Sequence, residues 1–142
     1  MTPATGTADV VDPPASDPLR LGDLFDPRCP TRQLLDRLGG KWTSMAIKVL
    51  DDGRPGEVRF AELKRRMPGI SQKMLAQTLR TLERDSLVAR RVEDTTPPRV
   101  HYRLTELGVS LTGPLAALRS WAEHHMAQID DAGAAWDRSR AG

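Results

Sequence analysis

The segment between residues 68 and 104 changes its hydrophobic period partway along, and this change restricts the folds open to the chain. In its first half, apolar residues recur at the spacing of an amphipathic helix. The apolar stripe consists of Leu75, Leu79 and Leu82. In its second half, apolar and polar residues alternate on both sides of the sequence Thr95–Pro98. The segment therefore predicts a helix that is followed directly by a two-stranded hairpin.

Three shorter helices are predicted before this segment. Pro30 suits the first position of a helix that ends near Leu38, because Gly39 and Gly40 then stop it. The next two helices are expected from Lys41 to Leu50 and from Phe60 to Met67, with a loop at residues 51–56 and a very short strand at residues 58–60. The apolar residues expected to face inward on the first two helices are Leu34, Leu35, Leu38, Trp42, Met45, Ala46, Val49 and Leu50.

The order of these elements predicts the fold class. A helix, a short turn, a second helix and a hairpin follow one another in a winged helix-turn-helix, in which the second helix of the pair enters the major groove of DNA. We therefore predict a mainly α fold with a small β-hairpin wing.

The charges divide the chain into a tail and a basic domain. The net charge is only +2, yet residues 1–26 hold five aspartates against one arginine. We predict a disordered acidic N-terminal tail at residues 1–26, one domain at residues 27–130 and a flexible C-terminal tail at residues 131–142. Between residues 59 and 103, 11 basic residues face 5 acidic ones. Such an excess attracts a polyanion.

Three motifs stand in one order along the chain. They are LGGKW at residues 38–42, PGISQKMLAQTLRTLERDSLV at residues 68–88 and PPRVHYRLTELG at residues 97–108, and Cys29-Pro30 precedes them. Together they resemble the HxlR family of bacterial winged-helix transcription regulators, relatives of the MarR group, over roughly residues 29–121. The resemblance implies a regulator that binds double-stranded DNA. Ser86 departs from the pattern, since the family usually has Gly there, and a left-handed Ser would cost about 1 kcal/mol relative to Gly.

The exposed face of the fourth helix has the chemistry of a surface that reads DNA. Guanine exposes acceptors that suit Lys or Arg, and adenine exposes a donor and an acceptor that suit Gln. We expect Gln72, Lys73 and Gln77 to reach base edges. Ser71, at the helix N-terminus, is better placed for phosphate, and Arg80 suits either partner. A face that contacts only water is the alternative for each single residue.

The hairpin adds a second set of basic residues. Arg99 follows the rigid pair Pro97-Pro98, so it is the candidate to enter a minor groove or to contact phosphate. Arg91 shares the less apolar face of the hairpin with His101 and Arg103. Hydration without any DNA contact is the alternative for these side chains.

The C-terminal region carries more apolar surface than a small winged domain needs. A short helix capped by Thr105 is expected first, and Gly113-Pro114 is expected to start a longer one. The apolar residues of the second helix include Leu115, Leu118, Trp121 and Ile129. A partner should cover part of this surface, and in the resembled family the partner is a second identical chain. We therefore predict a homodimer formed through N- and C-terminal helices, with additional core in the monomer as the alternative.

Cys29 is the single cysteine, so no intrachain disulfide can form. Because it precedes Pro30, it is biased toward the extended conformation of a helix N-cap. The positive end of the helix, together with Arg28 and Arg32 nearby in sequence, would favour a thiolate. Some members of the resembled family use a cysteine at this position to sense oxidants or electrophiles, which makes Cys29 a candidate sensor. A small buried residue packed under the helix is the alternative.

Other classes of protein find little support in the sequence. Gly-rich phosphate loops, paired carboxylates on one face and zinc-ligand spacings do not occur, so we expect no enzyme, no metal site and no cofactor. Without a long apolar run or a signal-peptide pattern, the protein is predicted to be cytoplasmic and to have no membrane contact. A winged-helix adapter that binds an acidic protein is the alternative function. Competition by duplex DNA and a steep salt dependence would separate the two.

Overall fold

The computed structural model describes residues 23–142, so most of the predicted acidic tail at residues 1–26 lies outside the described residues. The described part contains five helices and three strands. The helices are α1 (Pro30–Arg37), α2 (Lys41–Asp52), α3 (Phe60–Arg66), α4 (Gln72–Arg84) and α5 (Glu106–Ala141). The strands are β1 (Val58–Arg59), β2 (Val88–Glu93) and β3 (Arg99–Leu104). This composition confirms the predicted mainly α fold with a small β wing.

The described residues divide into two compact units, one up to residue 43 and one from residue 44 onward. Their boundary lies inside α2. The second unit contains the core of the winged domain. Its most buried apolar side chains come from α2, α3, α4, β2, β3 and α5. They include Ala46, Ile47, Leu50, Leu63, Leu75, Leu79, Leu82, Val88, Tyr102, Leu104 and Leu115.

A tight turn joins α3 to α4. The Ile70 N–H donates to the Met67 carbonyl at 3.2 Å, and Gly69 has a φ of 91°. Pro at the second position and a left-handed Gly at the third are the pattern of a type II β-turn. The turn therefore depends on the same Pro68-Gly69 pair that ends the preceding helix.

The C-terminus of α4 ends in a left-handed residue. Ser86 has a φ of 62°, and its N–H donates to the Glu83 carbonyl at 3.0 Å. The Leu87 N–H donates to the Leu82 carbonyl at 3.0 Å, so the two hydrogen bonds form a Schellman motif. Gly is the usual residue at this position because it has no Cβ. The left-handed backbone therefore costs Ser86 about 1 kcal/mol relative to Gly.

The predicted hairpin forms, and a third strand joins it. The sheet is antiparallel with the order β1-β3-β2. Tyr102 on β3 pairs with Val58 on one side and Arg90 on the other. Because side chains alternate along a strand, one face of the sheet is buried and the other is polar. The polar outer face carries Arg59, Ala89, Arg91, Glu93, Arg99, His101 and Arg103.

The C-terminal region is one continuous helix of 36 residues, α5, with Pro114 inside it. The prediction that Gly113-Pro114 separates two helices is therefore wrong. A proline in a helix interior costs about 3 kcal/mol, and buried residues on both sides of it, Gly108 and Leu115, hold the helix in place. The helix also includes residues 131–141, where a flexible tail is predicted from the sequence. Within residues 23–142, no helix combines the length and the apolarity needed to cross a bilayer.

Some apolar residues expected to face inward are exposed instead. Leu34 and Leu35 on α1 are 37% and 58% exposed, and Met45 on α2 is 42% exposed. Helical spacing shows that these residues share a face, but it does not show which surface covers that face. The helix α2 also continues to Asp52, so Asp51 and Asp52 form its last turn and not a loop.

Candidate nucleic-acid interface

The face of α4 opposite its buried leucines is exposed and contains no carboxylate from Gln72 to Leu82. At 100° per residue, four side chains point within about 40° of the direction opposite to Leu75. They are Lys73, Gln77, Arg80 and Arg84, all exposed. Gln72 is also exposed and lies at one side of this face. The structure therefore brings the predicted base-contacting residues together on one helix.

The N-terminus of α4 adjoins this face. The Ser71 hydroxyl accepts from the Met74 N–H at 3.0 Å, which is the predicted N-cap. The first turn contains no acidic residue, so no side chain in it neutralises the positive end of the helix dipole. An anion can therefore approach the amides of this turn with favourable electrostatics.

The outer face of the wing contains a network of ion pairs. The Arg91 guanidinium donates to the Glu57 carboxylate at 2.7 to 3.1 Å. His101, paired in register with Arg91, has its Nε2 2.9 Å from Glu93 Oε1. The hydrogen bond from Arg91 holds the pKa of Glu57 below its ordinary value. The hydrogen bond with His101 likewise lowers the pKa of Glu93. Both carboxylates are therefore ionised at neutral pH, and Arg91 is already paired.

Arg99 has a different environment from Arg91. It makes no salt bridge within residues 23–142 and stands at the start of β3, directly after Pro98. Arg99 and Arg59 line one surface groove of about 400 Å³, together with Phe60 and Val100. Two cations on a common groove attract a phosphate more strongly than either cation alone.

Cys29 is the N-cap of α1, as predicted, with φ −62° and ψ 126°. Its side chain makes no capping hydrogen bond and is fully buried. The two arginines expected beside the sulfur donate elsewhere. Arg28 pairs with Asp26 at 3.2 Å, and Arg32 Nη1 donates to the Phe25 carbonyl at 2.9 Å. The exposure that the reactive-thiol hypothesis requires is therefore not met in this conformation of the described chain.

Three residues on the exposed surface of α4 and the wing were not predicted from the sequence to belong to it. Glu57 was missed because its partner Arg91 lies 34 positions away. Arg59 was missed because a strand of two residues shows no alternation that would assign it to the outer face. Met74 is 42% exposed on α4, although its apolar side chain suggests burial. A longer β1 would have shown an alternation of apolar and polar residues, and that alternation would have assigned Glu57 and Arg59 to the outer face.

A comparison with protein families gives a match over most of the described chain. The profile of the HxlR-like helix-turn-helix family matches residues 37–130. The Escherichia coli protein YtfH, described as an uncharacterised HTH-type transcriptional regulator, is 37% identical over 114 residues, which are 80% of this chain and 88% of YtfH.

Solved structures agree with this match. YtfH from Salmonella typhimurium is 39% identical with a TM-score of 0.66, over 76% of this chain and 94% of that one. The redox regulator HypR in its oxidised form is 39% identical with a TM-score of 0.61, over 68% of this chain and 97% of that one. A MarR-family regulator from Porphyromonas gingivalis is 33% identical with a TM-score of 0.64, over 70% of this chain and 95% of that one.

Proposed function

Because this chain belongs to the HxlR-like helix-turn-helix family of transcriptional regulators, we propose that it acts in the cytoplasm as a homodimer on a palindromic operator. Each subunit would place α4 in a major groove and its wing against the neighbouring backbone. The carboxylate-free exposed face of α4 carries this proposal.

Base readout is assigned to the N-terminal half of that face. Lys73 offers a donor to the acceptors of guanine, and Gln77 offers a donor and an acceptor to adenine. Gln72 stands beside them in the first turn. Arg80 lies one turn further along and serves either a base edge or a phosphate. Ser71 and the neighbouring amides bind a phosphate at the helix N-terminus.

Backbone contacts are assigned to the wing. Arg99 is the principal contact because it is exposed and has no salt bridge in the described chain. Arg59 is added to the set because it lines the same groove. Arg91 contacts phosphate only if the phosphate competes with Glu57 for its guanidinium. Arg91 is therefore expected to contribute less to DNA affinity than Arg99.

The test separates base contacts from phosphate contacts. Gln77→Ala should relax base preference at one position in each half-site, at a cost of about 1 to 3 kcal/mol for the preferred sequence. Arg99→Ala should weaken binding to all sequences and reduce the salt slope by about 0.9 for each phosphate that it no longer neutralises. Fluorescence anisotropy across a salt series measures both effects.

Arg138→Ala is the matched control for Arg99→Ala. It removes the same charge from the exposed last turn of α5, far along the chain from the wing. If Arg99→Ala and Arg138→Ala gave equal salt slopes, the wing would not contact the backbone, and an adapter that binds a protein partner would become the better account.

Oxidant sensing by Cys29 is a further part of the proposal. The similarity to the redox regulator HypR supports it, and the complete burial of Cys29 sets a condition on it. The sulfur can react only after a local opening exposes it. The helix that Cys29 caps, α1, contains no buried residue, so local unfolding of this helix costs little apolar burial.

Mild oxidant or quinone is therefore expected to modify Cys29 slowly and then to lower operator affinity. A lone cysteine allows an intersubunit disulfide, a mixed disulfide or an adduct. Cys29→Ser should keep its operator affinity under the same treatment. Mass spectrometry would verify the modification before each binding measurement, and unchanged affinity of the fully modified parent would leave Cys29 a structural residue.

A further inference from the structure

A groove on the second unit, with no residue of α4 or the wing in its lining, has the features of a ligand site. It encloses about 310 Å³ between α2, the end of α3 and the first half of α5. This volume lies at the lower end of the range for small-molecule pockets. The apolar part of its lining consists of Met45, Val49, Pro68, Leu115 and Leu118.

The polar part of the lining has an excess of positive charge. Asp52 is the single carboxylate, and it already binds both Lys48 and Arg66, the latter at 3.2 Å. Arg119 also lines the groove and is half-buried. It makes no salt bridge within the described residues. Three cations and one anion therefore surround an apolar space.

We infer that this groove binds a small organic anion with an apolar body, such as a monocarboxylic acid. The apolar residues would cover the body of the ligand, and Arg119 would hold the carboxylate through charge-assisted hydrogen bonds. Arg66 and Lys48 stand at the same rim, where the ligand carboxylate competes with Asp52. A neutral analogue of the same shape lacks this interaction.

The position of the groove connects the ligand to DNA binding, a step that rests on the proposed function. Arg66 ends α3, and Pro68 belongs to the turn that sets the start of α4. A ligand that draws Arg66 away from Asp52 changes the contacts at this turn. Binding is therefore expected to lower operator affinity, and a ligand effect on DNA requires an equal effect of DNA on the ligand.

Titration of the full-length protein, free of DNA, tests the site directly. The probes are benzoate, phenylacetate and hexanoate, with benzamide as the neutral analogue of benzoate. We expect at least one acid to saturate below about 10 mM, with methyl NMR shifts centred on Val49 and Leu115. Benzamide should bind the parent protein about tenfold more weakly than benzoate, and Arg119→Gln should bind benzoate about tenfold more weakly than the parent does. Arg66→Gln, a second variant at the rim, should also weaken binding.

Arg138→Gln, on the same helix but outside the groove, should leave acid binding unchanged. The inference is overturned if none of the three acids saturates, if benzamide matches benzoate, or if Arg119→Gln behaves like Arg138→Gln while circular dichroism shows it folded. Weaker self-association of Arg119→Gln with unchanged benzoate binding would assign the groove to the partner subunit instead. These titrations contain no DNA. Their result can therefore be interpreted even if the proposed DNA-binding function is wrong.

Discussion

Gly108→Ala is expected to destabilise the protein by about 3 kcal/mol. Gly108 is buried near the start of α5, and a Cβ added to it would lie 2.1 Å from the Leu87 carbonyl oxygen. That oxygen is fixed, because it accepts from the Thr105 N–H at 3.1 Å. Thr105 in turn donates from its hydroxyl to the Ser86 carbonyl at 2.6 Å. The clash therefore falls on backbone that cannot move without separating α5 from the first residues of the wing.

Urea denaturation followed by circular dichroism measures this loss of stability. Gly133→Ala is the matched control, since the same change on the same helix meets no atom within 4 Å. In a helix interior, Ala is favoured over Gly by about 0.5 to 1 kcal/mol, so the control should be slightly stabilised. A Gly108→Ala protein within experimental error of the parent would show that the approach of Leu87 to α5 is looser than described.

The second large effect is expected from the exposed stripe on α5. Leu118, Trp121, Ile129 and Trp136 are each between 45% and 65% exposed. At 100° per residue they fall within about 80° of one another around the helix. The stripe extends over about 27 Å at 1.5 Å per residue. A continuous apolar stripe of this length indicates a protein partner, and we assign it to a second copy of the chain.

Replacing both Trp121 and Ile129 by Glu should therefore convert the proposed homodimer to a monomer at micromolar concentration. Loss of two central apolar anchors is expected to cost about 4 kcal/mol, roughly a thousandfold in the dimer dissociation constant. Operator affinity should fall as self-association is lost, because each half-site is then bound by a separate monomer. Sedimentation velocity and anisotropy measure the two effects.

A control with the same two introduced charges is available on the opposite side of α5. Ala127 and Ala134 are exposed and lie about 160° to 180° from Leu118 around the helix. Replacing both of them by Glu should leave the dimer intact. Equal dissociation of the two double variants would mean that charge alone, and not the stripe, governs self-association.

The elements that the sequence predicted well are those with a complete local signal. In α4, the N-cap Ser71 and the leucine stripe are both present, and the structure has both. The alternation on either side of Thr95–Pro98 likewise predicted β2 and β3. Each of these signals lies within about a dozen neighbouring residues, so no distant partner was needed to read it.

The features that the sequence did not predict depend mainly on packing and pairing between residues that are not neighbours in the sequence. Pro114 indicates a helix boundary when only its neighbours are considered, because the packing of Gly108 and Leu115 that offsets its cost is not visible locally. The spacing of Leu35 predicts that it lies on an apolar face, but it does not predict that the side chain is 58% exposed. For the candidate site, the exposed face of α4 could be predicted, but the pairing of Arg91 with Glu57 joins elements that are far apart in sequence.

Selection of binding sites from a pool of random duplexes tests the proposed dimeric readout most directly. The full-length protein is incubated with the pool, and the bound DNA is recovered and sequenced. We predict an enriched palindrome whose half-site centres lie about 34 Å apart, one helical turn of DNA, or a multiple of that distance. Enrichment of a single asymmetric half-site, or of no sequence at all, would contradict a homodimer that reads DNA through α4.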